Sequence, residues 1–186
     1  MRWIQRAVAL VLLVTASSLA AQDPPPAERV LADAKVQAAH QHKNIFLIFE
    51  ASWCEPCKQL EAFIEAPGIH SILEKHFVIA RVSIGEEYGD PPKPNSPGSG
   101  KLLVELGGAG GGEGDVPFIV LLDAKRKFII NSNRPVKGKA EVEGIGYPTE
   151  PEEIDWFMTM LKKGAPSLTK DDAQVIEAWL RKGAGS

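Results

Sequence analysis

The stretch Ile45–Leu60 constrains the fold of this chain more than any other part of its sequence. Residues 45–49 are all apolar and rich in Ile and Phe, a pattern typical of a strand that is buried on both faces of an α/β sheet. Cys54 and Cys57 follow shortly after this run. Beyond them, apolar residues recur at helical spacing: Leu60, Phe63 and Ile64. The sequence therefore predicts that the two cysteines lie where a buried strand turns into a helix.

This position has chemical consequences for both cysteines. A helix N-terminus presents unpaired backbone N–H groups and the positive end of the helix dipole. A cysteine there ionises more easily, and the thiolate is its reactive form. Pro56 suits the first helical turn, where a missing N–H costs nothing. The spacing lets Cys54 and Cys57 close a disulfide, with Cys54 as the outer, attacking sulfur and Cys57 as the shielded, resolving sulfur.

The residues around this turn, Phe-Glu-Ala-Ser-Trp-Cys-Glu-Pro-Cys-Lys at positions 49–58, resemble the active-site stretch of the thioredoxin superfamily. The resemblance covers roughly residues 27–163. It implies an α/β thioredoxin fold, with a central mixed β-sheet flanked by helices, and dithiol–disulfide exchange through Cys54 and Cys57. Trp53 would cover the disulfide and contribute to the substrate surface. The resemblance implies no metal and no cofactor beyond the redox-active disulfide.

Val116 and Pro117, which precede the apolar run 118–122, resemble a second landmark of the same superfamily. The matching proline of the family is cis and lies against the disulfide. The resemblance therefore places Pro117 beside Cys54, where the backbone around Val116 would pair with a substrate peptide.

Two residues depart from the family pattern. Thioredoxins carry a buried aspartate beneath the resolving cysteine, and the matching residue here is Ile48. Glu50 projects to the same side of the strand and is the candidate proton acceptor for Cys57, with a solvated strand-end charge as the alternative. Glu55 lies between the cysteines, where a carboxylate disfavours the Cys54 thiolate. A less stable thiolate makes the dithiol a better electron donor, so we expect a reductant of protein disulfides.

Arg81 is a charged residue inside the otherwise apolar pattern of residues 77–84. In the thioredoxin alignment it matches a lysine near the disulfide, where it would favour a nearby thiolate. An arginine that only reaches the edge of the sheet is the alternative.

The N-terminal segment has the features of a signal peptide, predicted at residues 1–21. Arg2 and Arg6 precede an unbroken apolar run at residues 7–14, and small residues follow. The run is short for a membrane span of about 20 residues, so we expect an exported protein, periplasmic or secreted, without stable membrane insertion after cleavage. Loss of the two arginines moves the formal net charge from −3 to −5. This mild acidity, without a basic patch, argues against nucleic acid as a partner.

The rest of the chain is predicted to form one domain. Residues 22–26 suit an extended linker, and residues 27–183 form a thioredoxin-like domain. The domain contains a Gly/Pro-rich insertion at 86–115 and a C-terminal helical extension at 167–182. The Gly-rich stretch 107–114 is either disordered or functional, as the rim of a substrate groove.

The apolar pattern also predicts the other elements. Residues 133–146 are expected to be polar loop. Thr149 is the expected N-cap of the following helix, and Ser167 or Thr169 that of the last helix. Predicted helices cover residues 27–41, 69 to about 75, 149–163 and 167–182, with a turn or two at 101–106, and predicted strands cover 45–49, 77–84, 118–122 and 128–132.

Other functions compete with thiol exchange. The chain has two cysteines, both in one motif, whereas an exported domain stapled by disulfides would have further pairs. The cysteines could instead form half of a metal site completed by histidines, or be incidental in a non-catalytic interaction module. The candidate histidines are His40, His42, His70 and His76. For the favoured function the expected partners are a protein or peptide disulfide and an unidentified thiol electron donor.

Overall fold

The computed structural model describes residues 23–109, 115–138 and 141–183, so the predicted signal peptide lies outside the described residues. In chain order the elements are α1 (Ala27–Gln41), β1 (Asn44–Glu50), α2 (Glu55–Glu65), α3 (Pro67–His76), β2 (Phe77–Ser83), a single 3₁₀ turn (Glu86–Tyr88), α4 (Ser99–Glu105), β3 (Phe118–Leu122), β4 (Phe128–Asn131), β5 (Asn133–Pro135), β6 (Val142–Gly144), α5 (Pro151–Gly164) and α6 (Lys170–Gly183). None of the helices in these three ranges is long and apolar enough to cross a membrane.

A mixed four-stranded sheet forms the centre of the molecule, in the order β2-β1-β3-β4. Strand β1 pairs in parallel with β2 and antiparallel with β3, and β3 pairs antiparallel with β4. Residues 45–49 of β1 are fully buried, as expected for a central strand with helices on both faces. The predicted thioredoxin fold, with its mixed sheet flanked by helices, is confirmed.

Each face of the sheet carries its own apolar core. On one face, Phe46 and Ile48 of β1 pack with residues of α2, α3, α5 and α6. On the other face, the alternate residues of β1 pack with α1, α4 and both cysteines. Because successive side chains of a strand point to opposite faces, the single apolar run of β1 supplies both cores. The turn that carries the two cysteines, called the reactive turn below, therefore follows directly on a strand that contributes to both cores.

The extra C-terminal helix is present as α6, which buries Ile176 and Leu180 in the core that α5 and α3 share. Its N-terminus is capped by Thr169, whose hydroxyl oxygen accepts the N–H of Asp172 at 3.0 Å. The predicted cap of α5 is wrong. Glu150, not Thr149, is the N-cap, and the Glu153 carboxylate accepts its N–H at 3.0 Å. The capping box with a glutamate three residues later decides the boundary.

The sequence pattern predicted that residues 133–146 are polar loop, but part of this segment forms two strands. Strands β5 and β6 pair antiparallel in a separate two-stranded sheet. An ion pair joins them, with Arg134 Nη2 2.8 Å from Glu143 Oε2. The N–H of Ile145 donates to the carbonyl oxygen of Ser132 at 3.1 Å and ties this hairpin to the end of β4. The strands are short and largely exposed, so they lack the alternation that identifies a half-buried strand.

Replacing Gly164 by alanine is expected to destabilise the fold by about 1–3 kcal/mol through overpacking. Gly164 ends α5 directly above the sheet, where its carbonyl oxygen accepts a hydrogen bond from Asn44 Nδ2 at 2.7 Å. A methyl group there would lie 2.5 Å from Leu121 Cδ1 and 3.0 Å from Phe77 Cε1. Urea denaturation measures the effect. Gly68→Ala in α3 is the matched control, since nothing lies within 4 Å of its added methyl group. Equal stability of the two variants would contradict this account.

Candidate active site

The two cysteines lie at the start of α2, directly after the turn that follows β1. Cys54 is the N-cap of the helix, and Pro56 occupies its first turn. Cys54 and Cys57 form a disulfide with their Cα atoms 5.2 Å apart. In this oxidised form the two residues are only 2% and 4% exposed. The local sequence explains the turn, because the N-terminal proline and the helical spacing after it start a helix where the buried strand ends.

The surroundings of Cys54 include both residues of the second landmark. The N–H of Cys57 donates to Cys54 Sγ at 3.2 Å, a hydrogen bond that favours a thiolate at that sulfur. The carbonyl oxygen of Val116 lies 3.5 Å from the same sulfur. The Val116–Pro117 peptide bond is cis. In the reduced form this carbonyl is a ready acceptor for the Cys54 thiol hydrogen.

A groove of about 510 Å³ is lined by Val116, whose carbonyl oxygen contacts Cys54 Sγ, by Pro117 and by Pro56, which lies between the two cysteines in the chain. Residues 107–109 form part of its wall, and the hairpin of β5 and β6 with the residues after it forms another part. Of the predicted Gly-rich rim, only residues 107–109 are described, and they do border the groove.

Trp53 is held by the inserted segment that follows β2. Its indole Nε1–H donates to the carbonyl oxygen of Gly85 at 2.7 Å. Its ring meets Tyr88 edge to face, with the ring centroids 6.3 Å apart. Gly89 is packed so closely that an added Cβ would lie 3.0 Å from Trp53 Cδ1. The indole is therefore fixed next to Cys54, and half-exposed Tyr88 extends the aromatic surface outward.

A second cavity, of about 360 Å³, lies on the side of Cys57. Three carboxylates and one lysine line this cavity together with the resolving cysteine. Its lining consists of Glu50, Ala51, Ser52, Cys57, Lys58, Glu61, Ser83 and Glu86. A proton that leaves the Cys57 thiol therefore has carboxylate acceptors within the same cavity.

Glu50 and Arg81 form an ion pair at the edge of this cavity. Arg81 Nη1 lies 2.8 Å from Glu50 Oε2, and Arg81 Nη2 lies 3.6 Å from Glu65 Oε1. Burial raises the pKa of Glu50 above its ordinary value of 4.5, although the charge of Arg81 acts to lower it. The structure thus places Glu50 beside Cys57, and it places Arg81 on the edge strand β2 with its guanidinium on two carboxylates.

Glu55 is largely exposed to solvent and paired with a neighbouring lysine. Its side chain is 71% exposed, and its carboxylate lies 3.3 Å from Lys58 Nζ. Solvent and the neighbouring ammonium group both weaken the field of this carboxylate at Cys54.

Sequence reasoning missed Glu86, whose carboxylate is buried at the rim of the reactive turn. The residue is 6% exposed, and Ser52 donates two hydrogen bonds to it. No local pattern identifies it, since it begins the irregular insertion and its partner is 34 residues away in sequence.

The alternative of a metal site requires a cluster of ligands that includes the two cysteines or the candidate histidines. In residues 23–109, 115–138 and 141–183, no group of three or more His, Cys, Asp or Glu side chains is arranged to hold a metal ion. Of the candidate histidines, His70 lies between Glu65 and Glu74, and His76 contacts the Ser167 hydroxyl at 3.3 Å.

Comparison with known proteins adds a family to this geometry. A family model described as thioredoxin-like matches residues 27–124. No curated protein matches the chain. Similar solved structures include a disulphide isomerase from Xylella fastidiosa Temecula1, at 19% identity over 60% of this chain and 80% of that one, with a TM-score of 0.46. The oxidised C-terminal domain of Neisseria meningitidis DsbD gives 19% identity, 75% and 99% coverage and a TM-score of 0.44. A thioredoxin from Thermus thermophilus is 22% identical over 62% of this chain and 75% of that one, with a TM-score of 0.38.

Proposed function

The chain belongs to the thioredoxin-like family and is a thiol–disulfide oxidoreductase, and we propose that it is an exported reductant of protein and peptide disulfides. The observation that carries the direction of transfer is the carboxylate-rich cavity beside Cys57. Export rests on the N-terminal segment, with its arginines, apolar run and small residues.

The reaction begins with attack by the reduced Cys54. Its thiolate forms a bond to one sulfur of the substrate disulfide, and the other substrate sulfur leaves as a thiolate. The Cys57 thiolate then attacks Cys54 Sγ, which forms the disulfide Cys54–Cys57 and releases the second substrate sulfur. Two electrons pass from the protein dithiol to the substrate. A thiol donor must reduce the protein again before another turnover.

The two cavities separate the two halves of this reaction. Cys54 Sγ lies against the Val116 carbonyl, at the groove where an extended substrate would bind. Cys57 lines the opposite cavity together with Glu50. A substrate bound in the groove therefore meets Cys54 first. The backbone of Val116 and the adjoining Pro117 would align the substrate chain, and the fixed Trp53 would cover the far side of the sulfur pair.

The direction of electron transfer follows from the relative stability of the reduced form. Neighbouring carboxylates disfavour thiolates, and a dithiol whose thiolates are poorly stabilised gives up its electrons more readily, whereas a stabilised reduced form makes a strong oxidant. Glu50, Glu61 and Glu86 face the pair from the cavity of Cys57. Arg81 offsets the charge of Glu50, with which it pairs. Lys58 is paired with Glu55, so the three carboxylates of the cavity are neutralised only in part.

The equilibrium potential of the Cys54–Cys57 pair tests this proposal. We expect a value near that of thioredoxin, about −270 mV, or lower. Titration in glutathione and dithiothreitol buffers, with thiol alkylation as the readout, gives the number. Glu55→Gln is expected to raise the potential by less than about 30 mV, because this carboxylate is exposed and paired with Lys58. A potential well above about −200 mV would contradict the reductant and indicate an oxidase or isomerase.

A further inference from the structure

We propose that Glu86 is a positioning residue for thiol exchange: it holds the reactive turn through Ser52 and places a negative charge in the cavity that Cys57 shares with Glu50, and it thereby governs the attack of Cys57 on Cys54. The proposal rests on the exchange chemistry of the proposed function but not on its direction. It assigns a role to the first part of the irregular insertion, residues 86–95, for which the sequence pattern suggested none.

Both oxygens of the Glu86 carboxylate are committed to Ser52. The backbone N–H of Ser52 donates to Oε1 at 2.8 Å, and its hydroxyl donates to Oε2 at 2.7 Å. Lys93 Nζ in turn donates to the same hydroxyl oxygen at 2.8 Å. A bidentate hold of this kind by a buried carboxylate fixes both the backbone and the side chain of a residue. Ser52 lies two positions before Cys54, so the hold acts on the turn that delivers the attacking sulfur.

Glu86 is itself fixed by its own segment. Its N–H donates to Asn95 Oδ1 at 2.9 Å, and its carbonyl oxygen accepts the N–H of Lys93 at 3.1 Å. The preceding residue, Gly85, accepts the Trp53 indole hydrogen bond. The segment 85–95 therefore grips two consecutive residues, Ser52 and Trp53, immediately before Cys54. Such a closed network holds a geometry more firmly than isolated hydrogen bonds do.

The charge of Glu86 acts in the cavity of Cys57. Glu50 is faced there by Arg81 from β2, by Glu61 from α2 and by Glu86 from the 3₁₀ turn, and Lys58 of α2 lines the same space. Repulsion from Glu86 adds to burial in raising the pKa of Glu50. The same charge disfavours a thiolate at Cys57. Both effects move the proton transfer between Cys57 and Glu50 to higher pH.

The attack of Cys57 can be watched directly with an aromatic disulfide, 5,5′-dithiobis(2-nitrobenzoate). The reduced chain releases one coloured thiolate when Cys54 attacks and a second when Cys57 displaces the group left on Cys54. Stopped-flow absorbance over a series of pH values yields a midpoint for the second release. Glu86→Gln keeps the shape and removes the charge, and we expect it to lower this midpoint by about half a pH unit or more. Glu87→Gln, at the adjacent exposed position, changes the net charge equally and keeps an oxygen acceptor for Asn95 Nδ2, which lies 2.8 Å from the Glu87 carboxylate. It is expected to leave the midpoint in place.

Ser52→Ala provides an independent variant, because it removes the hydroxyl partner and keeps the charge of Glu86. We expect a second release about three- to tenfold slower, without a downward shift of the midpoint. A folded Glu86→Gln variant with the wild-type midpoint, or a Ser52→Ala variant with the wild-type rate, would overturn the proposal. A wild-type chain that releases only one thiolate would overturn it together with the proposed function. An oxidising potential combined with the expected shift would overturn only the direction of transfer and support the role of Glu86.

Discussion

Replacing Cys57 by serine is expected to reduce turnover to background and to leave Cys54 joined to its substrate in a stable mixed disulfide. The first attack needs only Cys54, whose sulfur lies 3.5 Å from the carbonyl oxygen of Val116, a residue that lines the proposed substrate groove. Release needs a second sulfur on the other side of Cys54. Cys57 alone occupies that place, as a residue of α2 that is 4% exposed in the oxidised form. A serine hydroxyl there is not a nucleophile for a disulfide at neutral pH.

The trapped species is measured by non-reducing electrophoresis and mass spectrometry of the variant after exposure to a disulfide-containing protein. Cys54→Ser is the matched control: it is expected to be equally inactive and to carry no adduct, because the remaining sulfur faces the cavity of Glu50 and not the groove. An adduct on Cys54→Ser, with none on Cys57→Ser, would reverse the roles of the two cysteines. Turnover by Cys57→Ser would show that Cys57 is not needed to release the substrate from Cys54.

The core of the site was predictable because its determinants are local. The buried run of β1, the two cysteines and the helical spacing after them all lie within residues 45–64. Each pattern predicts its own element. The first helix was predicted with its observed bounds, Ala27–Gln41, since its apolar stripe and the proline-rich segment before it are equally local. These signals survive in the structure because packing and local preference agree there.

What the sequence pattern could not provide depends on contacts between distant segments. Arg81 meets Glu50 because β1 and β2 pair in parallel, with Glu50 opposite Ser83 and Ile48 opposite Arg81. That register follows from the packing of the whole sheet. The hold of Glu86 on Ser52 likewise joins a loop to a turn through side-chain hydrogen bonds. Neither contact leaves a periodic trace in the chain, so both appear only when the strands are assembled.

The two-stranded sheet of β5 and β6 was missed for a different reason. Its strands have three residues each, and their side chains are mostly exposed, so no apolar alternation marks them. An ion pair joins the two strands, and a backbone hydrogen bond from Ile145 to Ser132 ties the hairpin to the end of β4. Short polar strands of this kind are stabilised by their neighbours in the fold, and here the hairpin itself forms part of the wall of the groove beside Val116 and Pro117.

Replacing Glu50 by glutamine is expected to slow the attack of Cys57 by about a hundredfold or more and to leave the first attack by Cys54 unchanged. The family position for a proton acceptor is filled by Ile48, which is fully buried and apolar. Glu50 lines the cavity of Cys57, and burial raises its pKa toward the range in which a carboxylate exchanges protons with a thiol. Glutamine keeps the shape of the side chain but cannot accept that proton.

The same pKa shift predicts the pH dependence of stability. A carboxylate whose folded-state pKa exceeds its unfolded value binds its proton more tightly in the folded chain. Its contribution to stability is therefore fully present below the ordinary pKa of 4.5 and is lost as the pH rises through the raised pKa of Glu50. Glu50→Gln removes this loss, so the stability of the variant should fall less than that of the wild type as the pH rises through that window.

Two variants separate proton transfer from a structural role of Glu50. Arg81→Met removes the cation that lies 2.8 Å from Glu50, which raises the pKa of Glu50 further and should move the midpoint of the second thiolate release to higher pH. Glu61→Gln removes another carboxylate of the same cavity and should slow the second release less than about threefold, because Glu61 is exposed to solvent. If Glu61→Gln slows Cys57 as much as Glu50→Gln does, the base is not Glu50. If Arg81→Met leaves the midpoint unmoved, the ion pair between Arg81 and Glu50 has a structural role at the edge strand β2 and does not affect proton transfer from Cys57.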